Sequence, residues 1–405
     1  MDSLSDVSFL NSLFERFYPI GSCENGGVTR LGYGPEENKM HNMLKDISKG
    51  LGFKVETDSA GNSFVGIGDV KYEKYHIIGS HLDSVPNGGR YDGVCGVLSG
   101  LLVLNWIKKY NLKIPVKVVA FRCEESSAFG RATIGSSLST GSIKDSELAK
   151  LKNVNGESLL DMFEKYGYSP EPYIMQNVID YIELHIEQGR VLWEKGMDIG
   201  IVTSIAAPRR YRLNILGRQD HSGATPMYMR KDALCAAAEV ISLVEELGKK
   251  ESVHSTVATV GIIKEKPNVM NVVPGFVELG IDIRGIDKDS INRVLDGLKK
   301  DTDNIMKRRG IDYEFQKISS SDPVTLDRSV IESLKRAAKK LNIDFVEMPS
   351  GAGHDAMEMA NITKAGMIFI PCKEGISHNI HEKADLDKVI EGSKIILEYL
   401  KEESL

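Results

Sequence analysis

Adjacent carboxylates at Glu124 and Glu125 stand just past Arg122 and Cys123 at the end of an apolar run, Val116–Phe121, broken only by Lys117. Two acids at the end of a buried strand repel each other unless a cation or a shared proton lies between them. Neighbours on extended backbone point in opposite directions. One of the pair can therefore hold a metal while the other takes a proton from water, the division of labour that metal-assisted hydrolysis needs. For the pair alone, a solvated loop is the competing explanation. His81-Leu82-Asp83 closes another apolar run. Residues i and i+2 share a side of a strand, so Asp83 can reach His81, and a carboxylate bonded to a ligating imidazole fixes its tautomer. A polar strand end would look the same. Asp92 lies in Gly88-Gly89-Arg90-Tyr91-Asp92-Gly93, where glycines point to a tight turn that presents the acid; by itself Asp92 also reads as the cap of a helix starting at Val94. His185 sits in an alternating strand that runs to Gly189, and His378 lies in Gly375-Ile376-Ser377-His378-Asn379-Ile380-His381-Glu382. His76 and His254 read as packed or exposed histidines without a ligand role.

Elements must position these residues. The first 70 residues are expected to be largely helical, with Met40, Met43, Leu44 and Ile47 at helical spacing behind Pro35. A strand at 76–79, a helix at 94–110 and a strand at 116–121 then form a βαβ unit with mostly apolar strands, as in a sheet covered on both faces. Ligands gather at the carboxyl ends of such strands, where both polar clusters stand. A second pattern begins near Arg209: strand 211–216, a helix over 231–247 stopped by Gly248, strands 256–263 and 275–284, a helix over 289–309 and a strand at 313–318. That order, β-α-β-β-α-β, is ferredoxin-like. After Pro323, Ser329 and Glu332 read as a capping box for the helix 330–341, followed by a strand at 367–370 and a closing helix at 385–401. The fold class expected is α/β: a catalytic mixed-sheet domain with helices on both faces, built from 1–208 and 323–405, with a ferredoxin-like lid and dimerisation domain inserted at 209–322.

Composition narrows the function. Lys and Arg total 51 against 57 Asp and Glu, a net charge of −6 without a dense basic stripe, which argues against sequence-independent nucleic-acid binding. No apolar stretch approaches a membrane span, and the N-terminus lacks the basic start and apolar run of a secretory signal. Five scattered cysteines without a CxxC pair read as reduced thiols in a cytoplasm.

The segments GSHLDSV, GGRYDGVCGV, CEESSAFGRATIGS, LHIEQG, DHSGATPM, MNVVPG, DIRG, SGAGHDAM and GISHNIHE, in order from Gly79 to Glu382, carry a resemblance. The chain resembles the dinuclear-metal amidohydrolase branch of the aminoacylase and carboxypeptidase superfamily, specifically N-carbamoyl-L-amino-acid hydrolases and allantoate amidohydrolases. In the peptidase branch an Asp usually stands where this chain has His185. The resemblance implies two divalent metal ions (Zn, Mn, Co or Ni) bridged by Asp92, one also held by Glu125 and His378, the other by His81 and His185. It implies Glu124 as general base, Asp83 as orienter of His81 and His221 as oxyanion donor. Gln188, Asn271, Arg284 and Gly353 would hold the substrate, Arg284 as the reader of an α-carboxylate. The implied activity is hydrolysis of the carbamoyl C–N bond of an N-carbamoyl-L-amino acid, with allantoate or another ureido acid as the alternative and a peptidase or deacylase less favoured. The implied assembly is a homodimer through the inserted domain, with His221 serving the partner's site. Ala128, Pro208 and Trp193 depart from residues common among relatives, which leaves the side-chain preference open.

Overall fold

The computed structural model describes residues 3–68 and 73–404. The chain divides into two compact units, Met1–Thr203 with Leu326–Leu405, and Ser204–Thr325. Strands are numbered along the chain: β1 (Lys54–Thr57), β2 (Ser63–Gly66), β3 (Tyr75–His81), β4 (Val116–Phe121), β5 (Val178–Ile186), β6 (Gly200–Ile205), β7 (Ala207–Leu216), β8 (Asp220–His221), β9 (Val257–Lys266), β10 (Val272–Val273), β11 (Phe276–Gly285), β12 (Asp312–Ser320), β13 (Val324–Thr325), β14 (Val346–Ser350) and β15 (Lys364–Ile370).

The large sheet runs β1-β2-β4-β3-β5-β15-β6-β13, with β14 also paired to β6. Its centre is parallel, since β3 pairs β4 and β5, and β5 pairs β15, all in the same direction. These strands are apolar and almost wholly buried, as expected of a sheet shielded on both faces. The helix Val94–Lys109 crosses from β3 to β4 and is buried along nearly its whole circumference, which explains its nearly continuous apolar sequence. The helix Leu386–Glu403 closes the unit behind an Asp385 cap.

The smaller unit has the sheet order β12-β7-β11-β9, antiparallel throughout. Helices Ala233–Glu251 and Lys288–Arg309 supply Ala236, Val240, Val294 and Leu298 to a core shared with Leu213, Ile215, Leu279 and Ile283. This is the ferredoxin-like order. No described helix is long and apolar enough to cross a membrane.

Three local expectations need correction. The first 70 residues are not mainly helical to their end: β1 and β2 form an antiparallel hairpin there, whose turn is closed by Asp58 accepting from the Asn62 amide at 2.8 Å. Four-residue strands carry too few alternations to show a period. Gly248 does not stop its helix, which continues to Glu251. A Cβ there would lie 3.1 Å from the Ala258 nitrogen, so this glycine permits close approach of β9 rather than a cap. The helix Arg328–Lys340 is capped by Asp327, whose side chain accepts from the Ser329 and Val330 amides, two residues before the expected Ser329 cap.

Candidate metal centre

Parallel pairing decides what meets. Because β4, β3, β5 and β15 run side by side in one direction, their carboxyl ends lie along one edge of the sheet. That edge receives Glu124 and Glu125 after β4, His81 at the end of β3, His185 near the end of β5, and the His378 loop after β15. Asp92 arrives from the turn between β3 and the helix Val94–Lys109. There Gly93 adopts φ 64° and ψ −47°, and the Val94 amide donates to the Asp92 carbonyl at 2.6 Å. This is a γ-turn with positive φ, a conformation strained for residues bearing a Cβ. Cys123, Gln188 and His378 also have positive φ, at 51°, 60° and 53°, so the backbone carries unusual conformations where the side chains converge.

Asp92 is the hub. Its Oδ1 lies 3.3 Å from the Nε2 of both His81 and His185, and its Oδ2 lies 3.4 Å from His378 Nε2. His378 Nε2 is also 3.0 Å from Glu125 Oε1. Two sets of ligand atoms result, His81–Asp92–His185 and Asp92–Glu125–His378. The tautomers indicate what belongs between them. His81 Nδ1 faces Asp83, 3.3 Å from its carbonyl and 3.2 Å from Oδ1, while His185 Nδ1 reaches the Ile186 carbonyl at 2.9 Å. Both Nδ1 atoms therefore carry a proton, and both Nε2 atoms face Asp92 Oδ1, that of His185 also accepting the Gly93 amide at 3.2 Å. Asp92 Oδ1 and Glu125 Oε1 are buried and accept no hydrogen bond. Imidazole nitrogens gathered around buried carboxylate oxygens that accept no hydrogen bond fit a divalent cation, and an imidazole–carboxylate set suits Zn, Mn, Co or Ni.

The electrostatics agree. Burial opposes the charge of Asp92, yet His185, His378 and His81 hold its carboxyl well below the usual range. Asp92 and Glu125 push the His378 imidazole up to about 11. Each histidine stands in for positive charge that the carboxylates demand. Burial pushes Glu124 well above the usual carboxylate range, with His81 opposing and Glu125 reinforcing the shift. Glu124 Oε2 is 3.8 Å from His81 Nε2, beside the nest rather than within either ligand set.

Asp83 does more than face His81: its two oxygens accept the Glu124 and Glu125 amides, each at 3.0 Å. Gln188 Nε2 donates to Asp92 Oδ2 at 2.6 Å and lies 3.1 Å from His378 Nε2, so this substrate candidate sits directly on the hub. His381 is exposed, and its amide is bonded to Asn379. Gly353 lies in the loop between β14 and the helix Asp355–Met359. In the smaller unit, pairing of β8 with β10 sets Val272 opposite His221, and the Ser222 amide donates to the Asn271 carbonyl at 3.0 Å. His221 Nδ1 accepts from the Gly223 and Ala224 amides at 3.1 and 3.2 Å, which leaves its proton on an exposed Nε2. Arg284, on β11, is braced through Nε by Asp282 at 2.8 Å.

Two residues escaped the sequence reading. Glu382 accepts the Tyr91 and Asp92 amides through one oxygen at 2.9 and 3.1 Å, pinning the hub's backbone. His354 is buried with its ring 4.6 Å from that of His185, and its Nε2 meets Ser350 Oγ at 2.9 Å. Glu183, His185 and His354 form a third acidic–histidine cluster, but its chemistry is different. Glu183 is already satisfied by Ser80, Tyr181 and the Ala356 amide, and His185 Nε2 is turned to Asp92 Oδ1 and the Gly93 amide. This cluster braces the nest. The signal available in advance was His354-Asp355 next to the glycines of SGAGHDAM.

The model of Peptidase family M20/M25/M40 matches residues 77–402. An N-carbamoyl-L-amino-acid amidohydrolase of Pseudomonas sp. is 35% identical over 95% of this chain and 95% of its own. The allantoate amidohydrolase of Escherichia coli is 31% identical over 93% of each. Among solved structures, a hydantoinase/carbamoylase family amidase from Burkholderia multivorans superposes with a TM-score of 0.88 at 30% identity, covering 97% of both chains.

Proposed function

The chain belongs to peptidase family M20/M25/M40, and from that footing we propose that it hydrolyses the carbamoyl C–N bond of N-carbamoyl-L-amino acids. It is a hydrolase of C–N bonds, as its amidohydrolase relatives are. One water is consumed, and the products are the free amino acid, ammonia and carbon dioxide. The observation that carries the reading is the double nest on Asp92 with Glu124 beside it and outside both ligand sets.

His81 and His185 would hold one divalent ion, Glu125 and His378 the other, with Asp92 shared. Bound there, the ions supply Lewis acidity and favour ionisation of water. Glu124 takes the proton of the water that attacks the ureido carbon and passes it to the leaving nitrogen. Asp83 holds the amides of the acidic pair, so Glu124 keeps its aim. His221, with its proton on Nε2, donates to the oxyanion as it forms. The Arg284 guanidinium receives the α-carboxylate in bidentate fashion, while Gln188, Asn271 and Gly353 complete the substrate contacts. The smaller unit makes a homodimer: β9 is an edge strand with Val257, Ile262 and Ile263 exposed, a surface suited to pairing across a two-fold axis, and His221 then serves the partner's site. A second reading, allantoate or another ureido acid as substrate, is favoured by the Escherichia coli relative.

The test is ammonia release from metal-loaded protein offered N-carbamoyl-L-amino acids, allantoate and dipeptides, before and after chelation. Release from carbamoyl amino acids that disappears with the metal and returns on adding Mn, Co, Ni or Zn is expected. Cleavage of dipeptides with no ammonia from any ureido acid would overturn the proposal, as would full activity without metal.

A further inference from the structure

The acidic pair is held from behind by a residue far from it in sequence. Glu37, on the helix Pro35–Gly50, is fully buried. Its Oε1 accepts the Cys123 amide at 2.7 Å, and its Oε2 accepts the Tyr33 amide at 2.7 Å and Arg122 Nη1 at 2.8 Å. Arg122, itself buried, is fastened further by the Gly61 carbonyl and the Tyr168 hydroxyl, at 2.8 and 2.9 Å. The next two amides, Glu124 and Glu125, go to Asp83. Three consecutive backbone N–H groups therefore each end on a buried carboxylate. The first of them belongs to Cys123, whose φ of 51° lies in the left-handed region that residues with a Cβ avoid. Gly32 walls the other side, since a Cβ there would fall 2.2 Å from Cys123 Sγ.

We propose that Glu37 is a positioning residue for hydrolysis: by accepting the Cys123 amide it fixes the left-handed turn that aims Glu124 at the attacking water and Glu125 at the His378 nest. The part of this concerning Glu124 rests on its reading as the base. A buried ion pair on its own is weak evidence of a stabilising role. The contacts of Glu37 are spent on the backbone that sets the direction of two functional carboxylates, and its distance from them means it acts only through their orientation. Residues standing behind metal ligands in this way typically matter by about 10–100-fold in metal affinity or activity.

The experiment uses the full chain with Glu37→Asp, which keeps the charge opposite Arg122 but is one methylene too short to reach both the Tyr33 and Cys123 amides. Turnover, KM, melting temperature and the affinity for Mn²⁺ are measured on metal-stripped and reloaded protein. We expect kcat to fall about 10–100-fold with KM little changed, and affinity at the weaker Mn²⁺ site to drop by a similar factor. Tyr168→Phe, which loosens Arg122 at its other end, leaves kcat and Mn²⁺ affinity unchanged even where it lowers the melting temperature. In the wild type, the amides of residues 123–125 exchange with deuterium more slowly than those of Ser126 and Ser127. Glu37→Asp with wild-type kcat and Mn²⁺ affinity below its melting temperature would overturn the proposal. Should that variant be recovered only unfolded, fast exchange at residues 123–125 in the wild type would overturn it instead. Glu124→Gln is assayed alongside: wild-type turnover there would end the base reading, while the Mn²⁺ affinity of Glu37→Asp would still judge the placing of Glu125.

Discussion

Replacing Gly93 by Ala adds a single methyl group to the turn that presents Asp92. The added Cβ would lie 2.5 Å from His81 Cε1 and 2.6 Å from both ring nitrogens. Ordinary contact begins at 3.4 Å, so ring and methyl must separate by 3.4 − 2.5, about 0.9 Å. His81 has little room to give: it is 1% exposed, stacked 5.7 Å from His185, and anchored at the end of a central strand. Alternatively the turn itself opens, which moves Asp92. Either way a member of the first ligand set shifts by about 1 Å, a displacement that can cost on the order of 10²-fold in rate. The backbone adds its own strain, about 1–3 kcal/mol for a residue with a Cβ held at such φ and ψ. Expected, then, are weaker metal binding by calorimetric titration, turnover lower by about 10²-fold, and a lower melting temperature. Gly196→Ala separates the two causes: its φ is 61° and nothing lies within 4 Å of the new methyl, so it should lose stability while keeping turnover and metal. Gly93→Ala with wild-type metal affinity and turnover would show that His81 and Asp92 are not ligands of the same ion.

Glu124→Gln keeps shape but cannot accept a proton, so turnover should fall about 10²–10⁴-fold with the metal content by elemental analysis unchanged; loss of metal instead would make Glu124 a ligand. His378→Ala should lower metal content, whereas His381→Ala, at an exposed position outside both ligand sets, should not; the reverse would relocate the second nest. The pH dependence of stability should carry a term from His41, whose imidazole burial holds well below its usual value, with Arg122 and Lys45 adding to the shift. A depressed histidine costs nothing above the unfolded pKa of about 6.5. Below it the unfolded chain takes up a proton the native state refuses, and stability falls by up to about 1.4 kcal/mol per pH unit. Urea unfolding between pH 7.5 and 5 should therefore show a shallower loss for His41→Gln than for the wild type, and parallel curves would remove His41 from the account.

Much of the molecule was legible because its signals are local. The strand Val116–Phe121 is a buried apolar run ended by charge, and the amphipathic helices of the smaller unit follow a 3.6-residue period that needs no partner to be seen. The αβ class follows from the alternation of such segments. Local logic failed where a residue's reason lies across space. Gly248 stays inside a helix because β9 passes close to it, and the helix at Arg328 starts from Asp327 because that carboxylate reaches two free amides. The roles of His81, Asp92, Glu124, Glu125, His185 and His378 came from the family resemblance of their motifs, since each residue alone also fitted a polar strand end, a helix cap or a solvated loop.

What the chain alone determined is therefore which elements form and which residue types stand at their ends, because backbone preference and hydrophobic period act over a few residues. That these ends meet was decided by tertiary structure: only the adjacent parallel order of β4, β3, β5 and β15 sets their carboxyl ends on one edge. The bracing of Cys123 by Glu37 and of Asp92 by Glu382 is likewise tertiary. A buried amide accepts whichever carboxylate packing brings to it, and no spacing along the chain encodes that choice.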